Sequence, residues 1–220
     1  MLFARIRLDI LTGARVPGSR LRFAELLRAY ECSAGSLREV LQRLTDAGLV
    51  ESEGLHGFRV APLSDDDLEE LVDARLEVEV ATFRRSLMQG GVSWEGDILV
   101  AHHVLDRLDR ADANSPGRVS EAWAEAHAAF HLALLSGCEN RRLFRFAASL
   151  RDSAEVYRRW SVPNSTSGVR DSREEHRAIL AAALDRDVEL AVSLLRTHIR
   201  RSTYELLPMP DSPAEVPASA

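Results

Sequence analysis

Two histidines, His127 and His131, lie four positions apart in the stretch HAAFH, where apolar residues recur at helical spacing. Four residues make just over one turn of an α-helix, so both imidazoles would project from the same face. Imidazole is the commonest metal ligand among side chains, and two of them supply half of a tetrahedral site. The spacing therefore raises the hypothesis of a metal centre.

Two further histidines lie in later segments with helical spacing. His176 is part of REEHRAIL, and His198 is part of LLRTHIRR. Three helices of a bundle can direct such side chains into one interior, as the cofactor sites of helix bundles do. For any one of these residues alone, a core or surface histidine without a ligand role remains the alternative. Together, the four histidines favour a metal site.

The elements that would position these histidines form an all-helical region. Ser64 is followed by three acids, an arrangement typical of a helix N-cap, and a long amphipathic helix follows. The spacing of apolar residues predicts further helices over 93–111, 119–136, 139–160, 170–184 and 187–206. No strand pattern follows residue 62. The segment 207–220 holds four of the eight prolines, which predicts a disordered tail.

Residues 1–62 have a different pattern. Three short predicted helices, the third capped by Ser33 and ending at Gly48, precede two strand-like segments around a Gly54–Gly57 turn. This is the order of a winged helix-turn-helix, in which the third helix enters the DNA major groove. Ser36 and Arg38 near its start would offer donors to phosphates and bases. A small helical bundle with an incidental hairpin is the alternative, and Arg38 then becomes an ordinary solvated residue.

Composition separates the chain into the same two parts and excludes several chemistries. Residues 1–62 carry 9 Arg against 7 acids (+2), while residues 63–220 carry 19 Arg against 27 acids (−8). All 28 basic residues are arginine, so Schiff-base and P-loop lysine chemistry are absent. The two cysteines form neither a disulfide framework nor a thiolate zinc site. With no 18-residue apolar run and no signal peptide, we expect a soluble, cytoplasmic protein without membrane contact.

The N-terminal segments ILTGARVPGSRL, LREVLQRLTDAGLV and GFRV resemble the winged-helix module of gluconate-repressor-type (GntR) bacterial regulators. The resemblance implies operator contacts from the recognition helix and the wing. Carried over, it assigns DNA contacts to Arg22, Ser33, Ser36, Arg38, His56 and Gly57. Where the family usually has arginine after the serine, this chain has Ala34, so its operator is expected to differ from the common consensus.

The segments after residue 63 resemble the FCD effector domain of the same family, through RLEVE, HAAFH followed by CENRRL, EEH and a final histidine. The resemblance covers roughly 64–206. It implies a divalent metal held by His127, His131, His176 and His198. We expect zinc, with nickel or manganese as alternatives, because imidazole binds several first-row ions. His127 stands where the family usually has Asp. The segments SWEG, AHHVL, WAEAHAAFH and VYRRWS also resemble a branch of the family that includes repressors of dicarboxylate and carbon-starvation genes. In that branch, histidine is the usual residue at this position.

The expected architecture is mainly α: a winged helix-turn-helix over 1–62, an all-helical metal- and effector-binding domain over 63–206, and a tail over 207–220. The expected function is a homodimeric transcriptional regulator, expected to act as a repressor, that binds a pseudo-palindromic operator and senses a small carboxylic acid. Arg75, Tyr157 and Arg158 are the candidate carboxylate-binding residues. For Arg75 the alternative is an ion pair with Glu79, four residues later.

Two other functions are also compatible with the sequence. A metal-dependent hydrolase would use the histidines to activate water, but a fourth histidine fills the position that catalytic zinc keeps open. Its best candidate bases are Glu125 and Glu174. Their positions on the helices direct both side chains away from the histidines. A DNA-binding protein with a purely structural metal is the second rival. The sequence predicts no enzyme activity.

Overall fold

The computed structural model describes residues 1–54, 57–111, 119–160 and 172–204. These residues form two compact units. The first comprises 1–54, 57–68 and 152–160, and the second comprises 69–111, 119–151 and 172–204. Two long helices, Asp65–Gln89 and Arg141–Trp160, each contribute residues to both units. Leu63, Val156 and Trp160 pack with the core of the first unit. The boundary after residue 62 stays a prediction.

The first unit contains three short helices and a small sheet, as the sequence predicted. The elements are α1 (Leu2–Leu11), β1 (Arg20–Leu21), α2 (Phe23–Tyr30), α3 (Ala34–Asp46), β2 (Val50–Ser52) and β3 (Phe58–Val60). The antiparallel sheet has the order β1-β3-β2, with Leu21 and Ser52 both opposite Phe58. Strand β1 was not predicted, because two residues are too short to show the period-two pattern of a strand.

Helix α3 is held by its cap and by one apolar face. The Ser33 hydroxyl accepts a hydrogen bond from the Ser36 amide at 3.2 Å, which confirms the predicted N-cap. Leu37, Leu41 and Leu44 recur at helical spacing and are fully buried in the core of this unit. The other face, which carries Ser36 and Arg38, is therefore left exposed.

The remaining elements are helical: α4 (Asp65–Gln89), α5 (Val92–Asp106), α6 (Glu121–Ser136), α7 (Arg141–Trp160), α8 (Ser172–Leu184) and α9 (Val188–Tyr204). Ser64 caps α4 by accepting a hydrogen bond from the Asp67 amide at 3.1 Å. Helix α5 packs against α6 and α8, and α8 packs against α9. The core between these helices includes Phe83, Trp94 and Phe130.

Helix α5 ends at Asp106, five residues before its predicted end. The chain turns there, since the Leu108 amide bonds to the Leu105 carbonyl at 3.1 Å. Leu108 still packs against the core from this turn, so the apolar pattern continues beyond the helix. Among the described residues, no helix is long and apolar enough to span a membrane. The predicted tail over 207–220 lies outside the described residues.

Candidate functional site

The four predicted metal ligands lie together in the interior of the second unit. Helix α6 contributes His127 and His131 from consecutive turns, α8 contributes His176, and α9 contributes His198. All four side chains are buried, and one potential ligand atom from each lies within 4.8 Å of the others. The packing of α8 against α9, and of α6 and α8 against α5, brings them together.

This geometry fits a metal ion. Four nitrogens bound tetrahedrally to one zinc ion lie about 3.3–3.4 Å from one another. The four candidate ligand atoms lie within 4.8 Å of one another, so the side chains would have to draw closer together around the ion. The His131 Nε2 atom is buried and has no hydrogen-bond partner among the described residues. Because buried polar atoms are normally satisfied, this nitrogen is suited to coordination.

The electrostatics around His131 favour its neutral form. Burial lowers the pKa of His131 well below its usual range, the positive charge of Arg151 lowers it further, and so would a proton on any of the other three histidines. A neutral ring has a free lone pair, which is the form that binds metals. His127 also stacks on Trp123, with ring centroids 4.6 Å apart, which restrains its orientation.

Arg75 lies in a buried charge cluster on α4. Its Nε donates to Glu79 Oε1 at 2.6 Å, so the ion pair considered as an alternative is present. The second Glu79 oxygen accepts from Arg151 Nη1 of α7 at 2.9 Å. Within the described part of the chain, the two terminal nitrogens of Arg75 have no hydrogen-bond acceptor. The ion pair with Glu79 therefore uses only the Nε atom of Arg75.

Sequence reasoning did not identify Arg151. Its signal was its position on a buried face, between Ala147 and Ala154 at helical spacing, where a charged side chain needs a partner. Burial raises the pKa of Glu79, but the charges and hydrogen bonds of Arg75 and Arg151 outweigh it and hold that pKa below its ordinary value.

The other two predicted effector residues belong to the first unit, whereas the histidines belong to the second. The Tyr157 hydroxyl donates to Asp67 Oδ2 at 2.5 Å and lies 3.2 Å from both the amide and the carbonyl of Ser64. Arg158 forms an ion pair with Glu155. The structure thus groups Arg75 with the compact unit of the histidines, and Tyr157 with the start of α4.

The candidate nucleic-acid surface lies on the first unit, between the start of α3 and the wing. An open groove there is lined by three arginines, by one apolar residue each from β1 and α2, and by four residues of the β2–β3 hairpin: Arg20, Leu21, Arg22, Phe23, Arg38, Ser52, Gly54, Gly57 and Phe58. Arg38 lies over the Phe23 ring, with its guanidinium carbon 5.9 Å from the ring centroid. Guanidinium groups in an exposed groove suit a polyanion.

The remaining predicted DNA contacts are distributed around this groove. Arg22 is exposed and forms a 3.1 Å ion pair with Glu25. Ser33 and Ser36 are exposed at the start of α3, with their hydroxyls 3.0 Å apart. Gly57 lines the groove, and its backbone φ of +97° is one that side chains with a Cβ rarely adopt. His56 lies outside the described residues. Arg20 was not predicted from the sequence.

Both the N-terminal and the C-terminal part of the chain match known protein families. The bacterial regulatory proteins of the gntR family match residues 1–60, and the FCD domain matches residues 70–201. A winged helix-turn-helix followed by a helical FCD domain defines a DNA-binding transcriptional regulator and not an enzyme. The chain belongs to the gntR family of bacterial regulatory proteins and carries the FCD domain, as the sequence resemblance implied.

Curated relatives extend along most of the chain. It is 36% identical to the uncharacterized HTH-type transcriptional regulator BphR of Paraburkholderia xenovorans, over 91% of this chain and 81% of that protein. It is 32% identical to the HTH-type transcriptional repressor GlaR of Escherichia coli, over 87% of each chain. The galactonate operon transcriptional repressor of the same species is 28% identical, over 90% of this chain and 92% of that protein.

Solved structures share the fold. Escherichia coli McbR/YncC superposes with a TM-score of 0.73 at 18% identity, covering 93% of this chain and 94% of the other. A putative GntR transcriptional regulator from Rhodococcus superposes with a TM-score of 0.69 at 22% identity, covering 94% and 95%. These likenesses confirm the mainly helical architecture with its N-terminal winged helix.

Proposed function

We propose that this regulator is a homodimeric repressor that senses a small carboxylic acid through a metal ion in its FCD domain. The observation that carries the proposal is the buried cluster of four histidines, with ligand atoms within 4.8 Å of one another. His127, His131, His176 and His198 would hold one divalent ion. We propose zinc, with nickel or manganese as the alternatives that imidazole also accommodates.

The charge of such a centre supports an anionic effector. Four neutral imidazoles contribute no negative charge, so a divalent ion inside the bundle would keep its full charge. A carboxylate would relieve this cost by binding near the ion. The terminal nitrogens of Arg75 would hold a second carboxylate, since guanidinium binds carboxylates through paired hydrogen bonds. We therefore propose a short dicarboxylate, of the glutarate type, as the effector.

The two candidate bases of the hydrolase alternative lie outside the buried cluster. Glu125 is exposed on α6, and Glu174 is exposed on α8, where it pairs with Arg177. Neither side chain lies in the buried interior with the four histidines. The family membership also favours regulation over catalysis.

On DNA, the groove between α3 and the wing would read one operator half-site. We propose that Arg38, Ser33 and Ser36 contact the major groove, that Arg22 contacts phosphate, and that the wing around His56 and Gly57 reaches the neighbouring groove. Two copies would then bind a pseudo-palindromic operator. The effector would act by binding the DNA-competent and DNA-incompetent states with different affinities.

An exposed apolar face on α5 supports the homodimer. Val92, Leu99, Val100 and Val104 follow helical spacing and are 46–82% exposed. A second copy that presents the same face would bury them in a two-fold interface. Val100→Glu should shift the protein towards monomer in analytical ultracentrifugation. Leu190→Glu, at an exposed apolar position on α9, is the matched control and should not change the association state.

The main test combines metal content with operator binding. The full-length protein would be purified gently, its metals measured by elemental analysis, and its binding to the DNA upstream of its own gene followed in gel shifts. Adding a panel of C3–C6 mono- and dicarboxylates should change operator affinity in the metal-loaded protein. Absence of metal after reconstitution, or an equal response to neutral amides and sugars, would contradict the proposal.

A further inference from the structure

Glu175 precedes the metal-ligand candidate His176 in sequence, but its carboxylate contacts a different histidine. Its Oε2 lies 2.9 Å from the Nδ1 atom of His198, on the neighbouring helix α9. Both side chains are largely withdrawn from solvent, with exposed fractions of 16% for Glu175 and 5% for His198. The contact joins α8 to α9 beside the histidine cluster.

The chemistry of this contact determines which nitrogen of His198 carries the proton. An ionised carboxylate can only accept hydrogen bonds, so Nδ1 must be the protonated nitrogen in a neutral ring. The Nε2 atom then carries the lone pair that a metal requires. The negative charge of Glu175 also makes the ring a stronger electron donor.

Arg201 contacts the other oxygen of the Glu175 carboxylate. Its Nη1 lies 3.3 Å from Glu175 Oε1, so the two oxygens of Glu175 serve different partners. Arg201 lies three residues after His198 on the same helix, and therefore on nearly the same face. The result is a chain of contacts from Arg201 through Glu175 to His198.

We infer that Glu175 is a positioning residue of the metal centre. It fixes the tautomer and the ring orientation of His198, so that Nε2 is presented to a divalent ion. The inference rests on the proposed metal centre and adds an outer residue that sets its affinity. Loss of an outer carboxylate of this kind typically lowers metal affinity about 10–100-fold.

Two variants separate the hydrogen bond from the charge. Glu175→Ala removes both, and we expect zinc affinity, measured by competition with a chelator, to fall about 10–100-fold. Glu175→Gln keeps an oxygen that can accept from Nδ1, so we expect a loss between those of Ala and wild type. Glu174→Gln is the matched control, because that neighbouring carboxylate is exposed and pairs with Arg177; its zinc affinity should equal that of wild type.

The tautomer gives a second readout that a general loss of stability would not produce. In ¹⁵N-histidine spectra of the metal-free protein, His198 should be protonated at Nδ1 in wild type and in Glu175→Gln. In Glu175→Ala it should be a mixture of both tautomers. If Glu175→Ala does not fold, the zinc affinity and the spectrum of Glu175→Gln decide the question.

The outcomes distinguish this inference from the proposal on which it rests. If wild-type protein binds no metal, the proposed centre itself is wrong. If wild type binds zinc and the folded Glu175 variants bind it within about twofold of wild type, the role of Glu175 is wrong and the metal centre stands. A wild-type His198 protonated at Nε2 would also overturn the role of Glu175.

Discussion

Glu79 of α4 and Arg151 of α7, 72 positions apart in the chain, form a 2.9 Å hydrogen bond in the interior of the second unit. Glu79 is 1% exposed and also accepts a hydrogen bond from Arg75, so one carboxylate serves two guanidinium groups. This buried cluster ties α4 to α7, the two helices that contribute to both compact units.

The first prediction concerns the stability of this cluster. Glu79→Gln removes the negative charge that both arginines share, and loss of one partner of a buried ion pair typically costs about 3–5 kcal/mol. Urea unfolding of the metal-free protein should show a decrease of this size. Glu69→Gln, at an exposed position on the same helix, should have almost no effect. A Glu79→Gln variant as stable as Glu69→Gln would show that the cluster does not stabilise the fold.

The second prediction follows from the lowered pKa of Glu79. Because its pKa is lower in the folded than in the unfolded protein, its stabilising contribution is complete above the ordinary value of 4.5 and is lost as the pH falls. The free energy of unfolding of wild type minus that of Glu79→Gln should therefore be constant near neutral pH and shrink below about pH 4.5. A difference that grows on acidification would contradict this sign.

The third prediction ranks the metal ligands. We expect about one divalent ion per subunit, measured by elemental analysis. The ring centroid of His131 lies within 5.3 Å of those of the other three histidines, whereas His127 is 6.2 Å from His198. His131→Ala should therefore lose more zinc affinity than His127→Ala. His176→Ala and His198→Ala should also exceed His127→Ala, because each leaves its helix without a ligand.

The fourth prediction concerns operator binding. Arg38→Ala should weaken binding by about 1–3 kcal/mol if Arg38 reads a base, and by less if it meets only phosphate. The salt dependence in fluorescence anisotropy separates the two cases, since a lost phosphate contact makes the salt slope shallower. Arg142→Ala removes the same charge from an exposed position on α7 and is the control. Equal operator affinity of the two variants would remove Arg38 from the interface.

The fifth prediction concerns the effector. Dicarboxylates should raise the thermal stability of the metal-loaded protein in a saturable way, as expected for a ligand that binds the native state. Arg75→Ala should weaken this response while metal content stays the same. An unchanged response in Arg75→Ala would show that the second carboxylate binds elsewhere.

Tyr157→Phe tests a second residue that the sequence predicted to bind the effector. The hydroxyl already bonds to Asp67 at the start of α4, so its loss should lower stability by about 1 kcal/mol. If the dicarboxylate response also disappears, Tyr157 contacts the effector as the sequence analysis predicted. If the variant still responds to dicarboxylates, Tyr157 does not contact the effector and only stabilises the start of α4.

Features that depend on near neighbours in the chain could be read from the sequence. Ser33 caps α3 because its hydroxyl reaches an amide three residues ahead, and His127 and His131 share a face because they are four apart on a helix. The recurrence of Leu37, Leu41 and Leu44 likewise identified the buried face of α3. Geometry within a turn or two of helix follows from bond lengths and dihedral angles, so residue spacing alone predicts it.

Features that depend on distant segments appeared only in the tertiary structure. The sequence left open whether Arg75 pairs with Glu79, and it gave no sign that Arg151 shares that carboxylate. It also did not show that Glu175 contacts His198 rather than a residue of its own helix. Burial makes these pairings necessary, because a charge removed from water needs a partner. Which partner it finds depends on how the helices pack, and residue spacing within one helix does not specify that.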